Sequence, residues 1–346
     1  MPARRRGLRA GAFVPCGALA AALLSLAACR QSGEAERGEA GRAKAEPPAA
    51  TPAEAVAVSA EHRADVEQWR QTRDSRLRSP EGWLSLVGLE WIEEGTNRLG
   101  SAPDAEVRFP ATAPAALGTI ERRGEALSFT PAPGVEVLAG DPPQRVAGRI
   151  ELRSDAEGEP TLLRQGTFAF FVIRRGDRWA LRIKDGASPV LAGFQGMENY
   201  PLRPDWRVTA GFEPAPPGTT IPVPNILGTV DDSPSQGTVV FERDGKQARI
   251  AAIDEGDGRL FLVFGDETNG KGTYGGGRFV YADPPGPGES TVVVDFNKSY
   301  NPPCVFTAYA TCPLPPRSNR LPFPVEAGEK LWAGYEHHEP APAGGQ

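Results

Sequence analysis

The chain has 346 residues, with 44 acidic against 38 basic side chains, a formal net charge of −6, 40 glycines and 35 prolines. That length supports one large domain or two small ones. The acidic balance argues against nucleic acid as a partner and against electrostatic attachment to anionic lipid.

Arg4, Arg5, Arg6 and Arg9 form a basic start, and the uncharged run from Gly11 to Ala28 ends in Leu26-Ala27-Ala28-Cys29. A short apolar core closed by small residues reads as an export signal, not a membrane span. The Leu-Ala-Ala-Cys ending resembles the lipobox of bacterial lipoproteins. By that resemblance residues 1–28 are a signal peptide and Cys29 is the lipidated N-terminus. The protein would then be lipid-anchored in the cell envelope, facing the periplasm or the cell exterior, with the membrane as a partner only through the lipid. The alternative is an ordinary secretory signal cut near Ala28. Cleavage would remove four arginines and no acid, taking the net charge from −6 to −10. Residues 29–58 carry almost no large apolar side chain and are expected to be a disordered tether spanning roughly 30 Å.

From Ser59 the sparse stripe Val66, Trp69 and Leu77 predicts an amphipathic helix to residue 77. Ser79-Pro80-Glu81 then looks like a cap with proline at the first helical position, starting a second short helix through Trp83 and Leu84. Beyond Leu86, turn signals such as Arg123-Gly124, Arg175-Gly176-Asp177 and Asp244-Gly245 recur between β-branched and aromatic runs, among them TFAFFVIRR, DRWALRIK, RLFLVF and STVVVDF. This punctuation predicts a mainly β chain, an antiparallel β-sandwich or barrel-like domain with one or two N-terminal helices. The expected division is 59–163 for helix plus a first β unit, 164–336 for a second β domain, and 337–346 for a disordered tail.

GTNRLGSAPDAEVRFP, Gly95 to Pro110, resembles the opening strands of forkhead-associated domains. Ser101 follows Gly100 without that family's later Ser-x-x-His, so a shared β-hairpin is expected rather than phosphopeptide recognition. From about Arg164 to Lys330 the chain resembles the domain-of-unknown-function family numbered 1684. The resemblance rests on RWALRIKD, FQGMENYPLRPDWRVTA, FGDETNGKGTYGGGRFVYA and the DFNKSYNPPC…TCPLPP…NRL…AGEK segment. It implies a β-rich bacterial domain, exported or cytosolic, and no particular activity.

Several chemistries are disfavoured. His62 lies in the leading helix and His337 and His338 in the tail, so no histidine falls inside the motif-rich part. No Gly-x-Ser-x-Gly elbow, Walker loop or Rossmann fingerprint occurs, and no cofactor is expected. No metal site is expected either, because a four-cysteine zinc site fails once Cys16 is cleaved and Cys29 acylated. Cys304 and Cys312 most simply form a disulfide in an oxidising space. The alternatives are a Cys304 nucleophile activated without histidine, or two packed thiols.

The proline-rich segment 295–330 cannot form a regular ladder, and a long ordered loop of this kind tends to be functional. Asp266 and Asp295 could serve as general acid and base, as in glycoside hydrolysis. Arg182, Asp185, Tyr274, Arg278, Asn297, Tyr300, Asn301, Asn319, Arg320 and Glu329 are ligand-binding candidates, if the glycine loop at 270–277 and the proline segment meet over a recess. The plainer reading makes most of them turn caps and strand-end ion pairs. The tryptophans near the start fit packing of the helix on the sheet, whereas an exposed Trp206 or Trp332 beside the recess would favour sugar stacking. Three functions follow: a lipid-anchored module binding a small polar ligand (carbohydrate or peptide), a histidine-independent hydrolase or transferase, or a structural envelope lipoprotein.

Overall fold

A computed structural model of the protein describes residues 57–335. Cys29, the leader, most of the tether and both tail histidines lie outside the described residues. The chain is mainly β, built from largely antiparallel sheets, with a single long helix among the described residues, Ala60–Leu77. Ser59 caps that helix, its hydroxyl accepting from the His62 amide at 3.1 Å. The second helix expected at Pro80 is only a three-residue 3-10 turn, Trp83–Ser85, before the strand Leu86–Ile92. Backbone crowding accounts for the difference. A Cβ on Gly82 would sit 2.5 Å from the Arg76 carbonyl oxygen, so the chain turns back tightly against the helix end with no room to begin another.

Two sheets enclose the first core. One has six strands in the order Leu86–Ile92, Arg178–Asp185, Phe168–Arg175, Leu163–Gln165, Leu138–Ala139, Gln144–Arg145. The other has five, in the order Val107–Arg108, Gly95–Gly100, Gly118–Arg123, Ala126–Pro131, Ile150–Leu152. Phe109, Phe129, Phe168 and Phe170 interlock edge-to-face between them. The strands 168–185, expected in the second β domain, pack into this core, and the second core begins at Trp206. Strands buried on both faces read as apolar runs and carry no mark of the sheet they join. The Gly95–Pro110 stretch is not a hairpin, because Gly95–Gly100 and Val107–Arg108 pair in parallel. Arg98 holds the intervening loop through Asp104 at 2.7 Å and Glu106 at 2.8 Å.

The second core lies under a four-stranded sheet ordered Lys246–Ala252, Gly237–Arg243, Arg207–Pro214, Thr291–Asp295, together with the hairpin Leu260–Phe264 and Arg278–Ala282. All five residues of Leu260–Phe264 are buried, as a continuous apolar run requires. A third cluster, including Leu77, Leu84, Phe261, Phe279, Phe306 and Cys312, joins the helix, this hairpin and the proline segment. The proline segment also reaches the first sheet, where the Thr307 hydroxyl donates to the Leu86 carbonyl at 3.0 Å.

Only His62, Val66 and Leu77 of the 18 helix residues are buried, so the helix is fastened largely by polar contacts. His62 Nε2 meets Asp295 Oδ2 at 2.7 Å, Arg73 Nε donates to Glu329 Oε1 at 3.0 Å, and Lys298 Nζ lies 2.8 Å from Asp65. His62 therefore does enter the motif-rich part, which its position in the chain did not announce. His62→Ala, which deletes a buried bond to a carboxylate, is expected to lower the unfolding free energy by about 1–3 kcal/mol. Urea titration would measure that loss, and hydrogen exchange should localise the added exposure to the helix amides.

Candidate ligand-binding cleft

The irregular C-terminal segment is held by one buried side chain. Arg278, with no solvent exposure, donates from Nη2 to Asp266 Oδ2 at 3.0 Å and to the Val325 carbonyl at 2.6 Å. Its Nη1 donates to the Ala327 carbonyl at 2.5 Å and to that of Glu329 at 3.2 Å. Asp266 also accepts the amides of Thr268 and Val325. Burial pushes the Arg278 guanidinium below its usual range, and the Asp266 charge opposes that shift.

The other candidates are tied in similar ways. Asp295 accepts from His62 and from the amide and side chain of Asn297, and Asn297 in turn bonds both backbone groups of Arg203. Asn319 pairs with both backbone groups of Ala251 and with the Val263 carbonyl. Glu329 accepts the Asn301 amide at 2.7 Å beside its ion pair with Arg73, and the Asn301 side chain donates to the Lys330 carbonyl. Asp185 accepts the Ala187 amide in a turn, Tyr274 packs edge-on to Tyr335, and Arg320 is exposed beside Gly265. A disulfide joins Cys304 and Cys312 across a Cα separation of 6.2 Å.

The glycine loop and the proline segment do touch. Gly277 has φ +90°, and a Cβ there would stand 2.5 Å from Pro315 Cγ, so this crossing needs glycine. The recess opens elsewhere, as a cleft of about 880 Å³. The helix supplies Trp69, Arg73 and Arg76, the turn after it Glu81 and Trp83, and the first sheet Arg175 and Arg182. The hairpin strands contribute Phe261, Phe279 and Tyr281, and the proline segment contributes Tyr300, Pro303 and Ala310 to Pro313. Of the sequence candidates, Arg182, Tyr300 and Cys312 line it. Asp266, Asp295, Cys304, Asp185, Tyr274, Arg278, Asn297, Asn301, Asn319, Arg320 and Glu329 do not. Trp206 lies in the second core under Arg243, and Trp332 packs on Phe194 and Phe306, whereas Trp69 and Trp83 stand on the wall.

One wall is an aromatic ladder. Phe261 stacks on Tyr281 with centroids 4.9 Å apart, Tyr281 lies nearly parallel to Tyr300 at 6.3 Å, and Tyr300 meets Trp69 at 6.1 Å. Burial raises the Tyr300 phenol to about 12, so the ladder stays neutral. The lining is also cationic, with five arginines against Glu81 and Glu255, and two of the five, Arg73 and Arg259, lie over the Tyr300 and Tyr281 rings at 4.7 and 4.0 Å. Arg73 is paired with Glu329, Arg175 with Asp155 and Arg259 with Asp257. Arg182, only 7% exposed, has no ion pair or hydrogen bond among the described residues, and its Nε is buried without an acceptor. It rests against Trp83 and Phe171, its carbon Cζ 5.1 and 5.9 Å from the two ring centres. Burial first, then the like charge of Arg175, lowers Arg182 to about 10. Lys184, two residues on along the same face, falls to about 8 through burial and then the Arg182 charge.

The sequence signal for this wall was a charge inside an apolar strand: Arg182 interrupts WALRI. Arg73, Arg175, Arg259, Trp69, Trp83, Phe261 and Tyr281 were missed as lining residues, because their convergence depends on how the helix, the turn after it, the first sheet and the hairpin pack.

Two outcomes follow. Asp266→Asn leaves Arg278 uncompensated and should cost about 3–5 kcal/mol of stability in urea unfolding, whereas a purely catalytic Asp266 would leave stability intact. For Lys184 the unfolded value is about 10.4, so between pH 8 and 10 the unfolded chain binds more protons than the native one. This group therefore adds stability as pH rises through that window. Unfolding titrations at pH 7.5 and 9.5 should show Lys184→Met raising stability more at the lower pH.

No curated protein matches the chain. Among solved structures, the solution NMR structure of an uncharacterized protein from Haloarcula marismortui is 30% identical, covering 40% of this chain and 78% of the archaeal one, with a TM-score of 0.34. Residues 192–330, which hold the hairpin, the Arg278 anchor and the proline segment of the cleft, match the family described as Protein of unknown function (DUF1684).

Proposed function

We propose that the protein is a binding module that takes a small polar ligand in the cleft between the leading helix, the aromatic hairpin and the proline segment. In this reading, the leader and Cys29 tether it by lipid to the cell envelope, with the cleft facing the periplasm or the cell exterior. The observation that carries the binding reading is the lining itself: a preformed recess of about 880 Å³ bordered by stacked aromatic rings and by the buried guanidinium of Arg182, which has no hydrogen bond or ion pair among the described residues. Ordinary packing leaves few such groups, since a buried polar group without a partner is costly and tends to mark a functional site. The hydrolase reading has less on its side. Asp266 and Asp295 are engaged in fastening the fold away from the cleft, and Cys304 is held in the disulfide.

The test is a thermal-shift screen of the full chain against sugars, peptides and organic acids, followed by titration of tryptophan fluorescence, with Trp69 and Trp83 reporting from the wall. A hit should shift both signals. Tyr300→Ala should weaken it about tenfold, or roughly 1.4 kcal/mol, while Trp69→Phe cuts the fluorescence change. A panel in which no compound shifts either signal, with Tyr300→Ala altering stability alone, would turn the reading towards a structural protein.

A further inference from the structure

The cleft carries information about the class of ligand as well as its place. We propose that it selects a small ring-bearing organic anion, whose carboxylate or phosphate sits on Arg182 while its ring lies along the Phe261–Tyr281–Tyr300 ladder. This inference rests on the binding reading above and sharpens it.

Three observations converge. The first is the charge imbalance. The protein as a whole is acidic, with 44 Asp and Glu against 38 Lys and Arg, yet the cleft is lined by five arginines and two glutamates. Glu81 is engaged with Arg164 at 2.9 Å, and Glu255 accepts from the Tyr281 hydroxyl, so neither neutralises Arg182.

The second is the state of Arg182. A guanidinium is always charged and presents a planar fork of donors. Arg182 is buried without an ion pair and with only the more distant Asp155 charge, itself paired with Arg175, acting in its favour, and a buried charge left unpaired is strongly unfavourable. Here the missing partner is not supplied by any described residue, and the donor fork borders open space. Trp83 and Phe171 hold the guanidinium from the side. Arg175, whose Nε donates to Thr311 Oγ1 at 3.1 Å while Nη1 pairs with Asp155 at 2.8 Å, places a second cation on the same wall. The unpaired fork of Arg182, with the Arg175 charge beside it, suits an anion with two or three acceptor oxygens, which matches a carboxylate or phosphate in geometry as well as sign.

The third is the aromatic ladder. Phe261 is stacked on Tyr281 and Tyr281 lies nearly parallel to Tyr300, with Arg259 over Tyr281 at 4.0 Å and Arg73 over Tyr300 at 4.7 Å, so the stack lines the cleft as one aromatic strip with cations set against it. Stacked aromatic surface binds a planar or flat-faced ring. A linear peptide acid would satisfy Arg182 and leave the ladder unused. A neutral sugar would use the ladder and leave Arg182 unsatisfied. Only a ligand with both parts completes the site.

The experiment compares matched pairs on the full chain by calorimetry: glucuronate against glucose, uridine monophosphate against uridine, and 4-hydroxybenzoate against phenol, with inorganic phosphate and acetate as ringless anions. The expected result is that at least one ring anion binds tenfold or more tighter than its neutral partner and tighter than either ringless anion. Which pair responds distinguishes a carboxylate from a phosphate and a sugar ring from an aromatic one. Arg182→Met should abolish that preference while its melting temperature equals or exceeds the wild type's, because an uncompensated buried charge has been removed. A merely structural arginine would instead lower it. Arg182→Lys should keep part of the anion preference. Neutral rings binding as well as their anions would overturn the anion inference and leave the binding module standing. Ringless anions binding as tightly as ring anions would overturn the ring half. Silence across every pair, with Arg182→Met less stable than wild type, would remove both inferences together.

Discussion

The Arg278 guanidinium is the point on which the C-terminal half turns. Residues 321–331 form no strand or helix, and prolines at 322 and 324 remove backbone donors there. A segment of that kind needs its carbonyls satisfied from outside, and Arg278 supplies bonds to three of them while sharing Asp266 with the Val325 amide. Arg278 is fully enclosed, and burying its charge without partners would be strongly destabilising, so the ion pair with Asp266 and the carbonyl contacts have to form together. Glu329, at the end of the anchored segment, then receives Arg73 from the helix. The helix has too few buried apolar residues to dock by itself. One cation thus links the hairpin to the irregular segment at 325–329 and, through Glu329, to the helix that walls the cleft.

The proline segment does the complementary work on the other side of the recess. Thr307 bonds the first sheet at Leu86, Arg175 of that sheet bonds Thr311, and the Leu314 amide donates to the Pro224 carbonyl at 2.7 Å. The disulfide closes the span between Cys304 and Cys312 next to the cleft wall. Ring-stiffened backbone loses less conformational freedom on folding than an ordinary loop of the same length. A wall built this way holds its shape before a ligand arrives, which is what preorganisation requires.

The cleft separates the polar residues of the molecule into two populations. Asp266, Arg278, Asp295, Asn297, Asn301 and Glu329 spend hydrogen bonds on the backbone of irregular segments, and Asn319 spends its own on the strand residues Ala251 and Val263. Arg182 spends none. The two groups look alike in the chain, since both are polar residues in or beside apolar runs. They differ only in whether a carbonyl or carboxylate stands within reach.

Read along the chain, periodicity and turn residues determine the mainly β character, the one long helix and the irregularity of the last segment, because each depends on contacts between near neighbours. The N-terminal limit of the helix follows from Ser59, and the proximity of the glycine loop to the proline segment is foreshadowed by glycines such as Gly277 that only a close crossing requires. The pairing of the 168–185 strands with the first sheet, the parallel contact of Gly95–Gly100, the docking of His62 on Asp295 and the assembly of the arginine and aromatic walls were decided by tertiary structure alone. A strand's apolar run is compatible with either sheet, and a cation's role is set by acceptors up to 256 positions away in sequence, as with Arg73 and Glu329. Such distances leave no trace in local pattern, because the energy that selects them is burial and pairing across the finished core.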